Sequence, residues 1–134
     1  MPLVRIDMIA GRSSADVAAI GQAVQQALVE CLNVPARDRF QVITEHAPGS
    51  LVFNTDYLEV PRTEGIVLIQ VFLSAGREEA QKRAFYARAA QLLAEGAGVR
   101  AEDVTITLSE NTRADWSFGR GRAQYLELPK EAWR

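Results

Sequence analysis

A repeat is the feature that most constrains what this chain can fold into. Ala10-Gly11-Arg12 recurs as Ala75-Gly76-Arg77, and Ala15 as Ala80. Val34, Ala36 and Asp38 recur as Val99, Ala101 and Asp103. All these pairs share one offset of 65. Matches at both ends of a stretch on a single offset mark a duplicated supersecondary unit.

Hydrophobic spacing says what the unit is. Val4, Ile6 and Met8 alternate with Arg5 and Asp7, the pattern of a half-buried strand. Ala10 to Ser14 is a turn that closes on good N-cap residues. From Ala15 to Leu32, Val17, Ile20, Val24, Ala27, Leu28 and Cys31 fall at helical spacing, and Asn33 and Pro35 end the helix. Arg39 to Thr44 reads as a second strand. The order then repeats. Ile66 to Leu73 is a nearly continuous apolar strand. A helix from about Glu78 to Glu95 presents Ala80, Ala84, Phe85, Ala89, Leu92 and Leu93 and is stopped by Gly96 and Gly98. Val104 to Leu108 is the last core strand.

Strand–helix–strand occurring twice predicts an α/β fold. Each crossover helix joins two parallel strands with right-handed connectivity. Two such units give a four-stranded sheet built mainly of parallel pairs, with both helices on one face. The 134 residues suffice for a single domain with its own core, with repeats at about 2–45 and 66–110 and a tail at 111–134. Residues 51–61 are expected to be irregular or a hairpin, and the tail to hold a short hairpin. Ile69 and Val71 suggest a strand that is apolar on both sides, so the second sheet face calls for a partner, most simply another copy of the chain.

Composition narrows the function classes. With 48% hydrophobic and 24% charged residues the chain is an ordinary globular one. A net charge of −2 argues against nucleic-acid or polybasic membrane binding. The short run Gly119-Arg120-Gly121-Arg122 then reads as a turn at a subunit contact. A lone cysteine, Cys31, forms no internal disulfide and sits on the apolar helix face. Neither a signal-peptide pattern nor a membrane-length apolar run is present, so the cytoplasm is the expected location. His46, the only histidine, falls in a loop beside Pro48 and makes no case for a metal site.

Pro2 is the first candidate functional residue. A small second residue normally permits removal of the initiator Met1, which would leave a secondary amine at the tip of the first strand. An α-amino group titrates at about 7.7–8.0, and an apolar site or nearby cations lower its charged fraction. Such a group serves as acid, base or nucleophile according to its surroundings. In the second copy Val67 replaces Pro2 and offers no amine, so that copy is expected to be chemically silent and Arg12 structural. Arg77 stands where the second helix begins. Its fork suits a carboxylate, and free helix amides attract the same anion; the competing role is a solvated ion pair with Glu78 or Glu79. Asp38 follows Pro35 at a strand entrance, where it serves either as a turn cap, like Asp103, or at the site. Trp116 and Phe118 lie two apart and would point the same way on extended chain, lining a pocket or covering a subunit contact.

A Met-Pro start, a duplicated βαβ unit and Asp115-Trp116-Ser117-Phe118-Gly119 together resemble the tautomerase superfamily, and within it the malonate semialdehyde decarboxylase family. The likeness runs from Pro2 to about Leu126. Its most specific parts are the run from Val34-Pro35-Ala36-Arg37-Asp38 to Val42, and the run from Glu110-Asn111 to Ala123. The resemblance implies a homotrimer with an amino-terminal proline at each site, needing neither metal nor organic cofactor. It implies that Pro2 is the catalytic amine and that Asp38 orients water or tunes the amine. It further implies that Arg77 binds a carboxylate and that Trp116 and Phe118 form a hydrophobic wall. Ala75 departs from the pattern, since the best-known decarboxylases carry a second arginine there. The expected activity is decarboxylation of malonate semialdehyde to acetaldehyde and CO2, with a promiscuous hydratase activity. The competing activities are tautomerisation of 2-hydroxydienoates or arylenolpyruvates, and ligand binding without turnover by a trimeric scaffold.

Overall fold

The computed structural model describes residues 2–134. Four strands, β1 (Pro2–Ile9), β2 (Phe40–His46), β3 (Val67–Ser74) and β4 (Val104–Asn111), alternate with two long helices, α1 (Ser14–Leu32) and α2 (Glu79–Ala97). Both ends of β3 and of α2 lie 65 residues after those of β1 and α1, which is the offset of the sequence repeat. The two helices also start and stop by related means. Ser13 accepts the Asp16 amide at the start of α1, and α2 opens with a reciprocal Glu78–Gln81 capping box. Asn33 (φ 54°) and Gly98 (φ 65°) close them in the left-handed conformation that satisfies the last-turn carbonyls. Gly96, expected as a second stop, is instead inside α2.

The strand order is β2-β1-β3-β4. Within each unit the strands are parallel, and the units meet through the antiparallel pair β1/β3, so the sheet is mixed. Val4, Ile6 and Met8 of β1 and Val67, Ile69, Val71 and Leu73 of β3 face the helices, where they meet Ile20, Val24, Leu28, Phe85, Ala89 and Leu93. Phe85 is fully buried, and a side chain of that size contributes roughly 1.5–3 kcal/mol on burial.

Several expectations need correction. Ile69 and Val71 are two residues apart and both face the helices; the opposite side of β3 shows Leu68, Gln70 and Phe72, which are only half-buried. The open face does carry exposed apolar residues, notably Leu3, Phe40 and Val42. Of the two alternatives for residues 51–61 the irregular one holds: a loop with a 3-10 turn, Tyr57–Glu59, tied down by Arg62. The tail forms no hairpin. It consists of a 3-10 turn (Arg113–Asp115), a short helix α3 (Gln124–Glu127) and a final turn (Lys130–Trp133). Gly119, Arg120 and Gly121 all have positive φ, a run that turns the chain too sharply to continue a ladder. His46 lies not in a loop but at the end of β2, where its Nε2 is 2.7 Å from Asp7 Oδ1 across the open face. Cys31 is half-buried against the core. Among the described residues no helix is long and apolar enough to cross a membrane.

Candidate active site

One end of the sheet gathers four chain segments: the starts of β1 and β2 and the ends of β3 and β4. Pro2 is buried and pairs with Leu73, the residue just before the turn that carries Arg77. On the other flank Leu3 pairs with Phe40, so the same register carried back one step sets Pro2 against Arg39, next to Asp38. Sheet pairing alone therefore brings Pro2, Asp38 and the Arg77 turn to one place.

Arg77 is held rigidly there. Its Nε donates to the Leu32 carbonyl at 3.1 Å, and its Nη1 to the Ser74 carbonyl at 2.9 Å. Leu32 ends α1, so a cation at this point also complements the negative end of that helix. Among the described residues Arg77 forms no ion pair, Glu79 being close to Arg83 instead. The remaining guanidinium donors are free for an external acceptor. Burial lowers the Arg77 pKa, while Tyr125, Glu110 and Asp38 pull it back up. Burial likewise raises the Asp38 carboxyl above its ordinary value, against nearby positive charge that includes Arg77. Tyr125 is raised strongly, by burial and then by Asp38, with Arg77 opposing. Arg77, Asp38 and Tyr125 thus sense one another.

The tail closes over this end. Asn111 finishes β4 and accepts a 2.7 Å hydrogen bond from the Trp116 indole N–H. Trp116 stacks on Phe118 (centroids 5.6 Å, planes 9° apart), and Phe118 reaches Phe40 at the start of β2 (6.0 Å) and Tyr125 (5.0 Å). Gln124 clamps the turn by accepting the Phe118 amide and donating to the Gly119 carbonyl. Two adjoining cavities result. One, of about 390 Å³, is lined by Arg77, Arg113, Tyr125, Lys130 and Trp133 among others. The second, of about 400 Å³, is lined by Asp38, Phe40, Phe118, Tyr125 and Trp133 among others. Tyr125 borders both. Arg77 thus lines the first cavity and Asp38 and Phe118 the second, whereas neither Pro2 nor Trp116 lines either cavity.

Sequence reasoning did not single out Tyr125, Phe40 or Trp133. Phe40 carried a usable signal, as an aromatic two residues after Asp38 at a strand start. Tyr125 and Trp133 depend on how the tail folds back, which no local pattern encodes. The order Gly119 to Arg122 is the expected turn, and Arg122 pairs with Glu127 within the tail.

The second copy shows what a closed version looks like. Asp103, the counterpart of Asp38, is 2% exposed and accepts from the Thr63 amide (2.7 Å) and hydroxyl (2.6 Å). Arg12, the counterpart of Arg77, donates to the Gly65 carbonyl at 2.6 Å. A Cβ on Gly65 would lie 3.1 Å from Asp103 Oδ2, so the connecting segment is packed tightly into this end. The linker between the repeats occupies the place that stays hollow in the first copy. Among the described residues no cluster of His, Cys, Asp and Glu suits a metal ion.

A small α/β domain with a duplicated βαβ unit, one sealed end and one hollow, cation-bearing end defines the class. The chain belongs to the tautomerase superfamily: two family models, both described as "Tautomerase enzyme", match residues 38–119 and 2–60. Two relatives from Bacillus subtilis (strain 168) span it almost fully. The probable tautomerase YusQ is 39% identical over 95% of this chain and 100% of its own, and the probable tautomerase YrdN 35% identical over 94% and 97%. Among solved structures, a malonate semialdehyde decarboxylase superposes with a TM-score of 0.88 at 38% identity, covering 93% of this chain and 96% of that one. Another malonate semialdehyde decarboxylase, inhibited by 3-bromopropiolate, gives 0.88 at 43% identity, covering 93% and 95%. The fold is also that of native fused 4-OT (TM-score 0.76, 20% identity, covering 94% and 99%).

Proposed function

We propose that this enzyme decarboxylates malonate semialdehyde, or a close oxo-acid analogue, using Pro2 as an amino-terminal amine once Met1 is removed. The observation that carries the reading is Arg77, fixed by two backbone carbonyls at the cavity mouth and sharing its electrostatic field with Asp38 and Tyr125. The 38% and 43% identities to malonate semialdehyde decarboxylases support it.

Arg77 takes the substrate carboxylate with its unused donors. Protonated Pro2 donates to the aldehyde oxygen, so that when the C–C bond to the carboxylate breaks, the electron pair moves into an enolate stabilised there. CO2 departs, and protonation of the enolate carbon gives acetaldehyde. Trp116 and Phe118, with Phe40, exclude water and so strengthen each charge interaction. Asp38 tunes the amine or, in a side reaction, orients a water for hydration. The working unit is a cytoplasmic homotrimer, in which the open face with Leu3, Phe40 and Val42 is covered.

A second activity is favoured by the names of the curated relatives, both probable tautomerases. With Pro2 neutral, the same amine would move a proton between carbon and oxygen of a 2-hydroxydienoate or arylenolpyruvate.

Proton NMR of malonate semialdehyde with Met1-processed protein and with Pro2→Ala tests the proposal. Acetaldehyde is expected from the parent alone. Its absence with the parent would reject decarboxylation, and absorbance assays on dienol substrates would then decide between tautomerase and binding protein.

A further inference from the structure

The cavity beside Arg77 is unusual in its charge. Arg77, Arg113 and Lys130 all line it, and no aspartate or glutamate side chain does. Arg134 lines it as well. This concentration of cations occurs in a chain whose net charge is −2. Among the described residues, Arg113 and Lys130 form no ion pair, whereas Lys82, Arg88 and Arg122 each have a carboxylate partner. Asp115, two residues from Arg113, is occupied instead by the amide and hydroxyl of Thr112. Glu110, at the end of β4, is taken by Lys82.

Arg113 is also positioned. Its guanidinium lies over the Trp133 ring, 5.0 Å from the centroid, and Trp133 packs edge-on against Tyr125 at 4.8 Å. The indole N–H of Trp133, on the same wall, is buried with no acceptor among the described residues. Arg113 and Lys130 are solvent-exposed, and cations lining one cavity together set up a positive potential that favours an anion there. The cavity, at about 390 Å³, falls within the roughly 300–1,000 Å³ typical of ligand clefts and has room for a short acid with two charged ends.

We infer that Arg113 and Lys130 form a second anion subsite, so that this enzyme prefers oxo-acids carrying a second carboxylate over simple mono-acids. One carboxylate sits on Arg77 and the other on the tail cations. The inference takes from the proposed function only that Arg77 holds a carboxylate. A β-oxo diacid would lose the carboxylate next to its methylene group as CO2 and keep the other as its handle.

Calorimetry with two inert probes of equal length tests this: succinate, with two carboxylates, and butyrate, with one. The parent protein should bind succinate at least tenfold more tightly. Arg113→Gln combined with Lys130→Gln should reduce that preference to threefold or less while leaving butyrate unchanged. Arg77→Gln should weaken both probes. Arg83→Gln, which removes an exposed charge on α2 that lines neither cavity, controls for net charge and should not change the ratio. Equal affinities in the parent, or a preference that survives in the double variant, would overturn the subsite. Failure of malonate semialdehyde turnover with the succinate preference intact would overturn decarboxylation and leave the subsite standing.

Discussion

Asp38 illustrates how a half-buried carboxyl can work against the fold. Its carboxyl is half-buried and its pKa is raised, chiefly by desolvation. A group whose folded pKa lies above its unfolded value favours folding fully only below the unfolded value, and that contribution is lost as pH rises through the folded pKa. At neutral pH the ionised Asp38 is therefore less favourable for folding than a neutral isostere. Asp38→Asn should raise the melting temperature at pH 7 and lower turnover. The stability gap should narrow as pH is brought down toward the ordinary Asp value, about 3.9. Calorimetric melts of both proteins from pH 4 to 8 check this, and a gap that widens on acidification would sink the argument. The type of Asp38 was legible from its place after Pro35; its burial was not, because that comes from the α1 side, where Gln25 donates to its carbonyl, and from the folded tail.

At the scale of elements, the repeat did most of the predictive work. Helix and strand positions transferred from one copy to the other because side-chain spacing, caps and turns all recur at the same offset. Errors cluster where no repeat constrains the chain. The glycines and aromatics of the tail read as a hairpin, yet three successive residues of positive φ and a stack of rings make it a strap. The paired faces of β3 were confused because a buried strand with a half-buried reverse face reads as uniformly apolar. The linker between the copies, unreadable in the sequence, is what seals the second site. Asp103→Ala would strand the amide and hydroxyl of Thr63 and remove two hydrogen bonds to a charged group. A loss of roughly 2–4 kcal/mol in urea denaturation is expected, with turnover per folded molecule within twofold of the parent. A large fall in turnover without loss of stability would show that the second copy takes part in the chemistry.

For the whole molecule, the informative surface is the open sheet face. Leu3 is 37%, Val42 45% and Phe40 50% exposed in the isolated chain, and apolar groups gathered in this way mark an interaction surface. Phe40 joins this face to the cavity wall through Phe118, so the proposed assembly and the site would share a residue. Val42 lies on the same face but lines neither cavity, which makes it the cleaner probe. Val42→Lys should shift the mass measured by light scattering from a trimer to smaller species. A trimer that persists in this variant would move the subunit interface elsewhere.

Chain topology sets the sealed second end apart from the first. In a duplicated domain the first strand can begin at a chain end, while the third must be entered through a connection. An internal residue has no free α-amine, so no point substitution at Val67 can create one, whatever is done to Arg12 or Asp103. Only a break in the covalent chain would, because cleaving before position 67 both exposes a new terminus and frees Thr63 and Gly65 to leave. A polypeptide cut there and reassembled from its two halves is thus the one arrangement in which both ends of this sheet could be made to react.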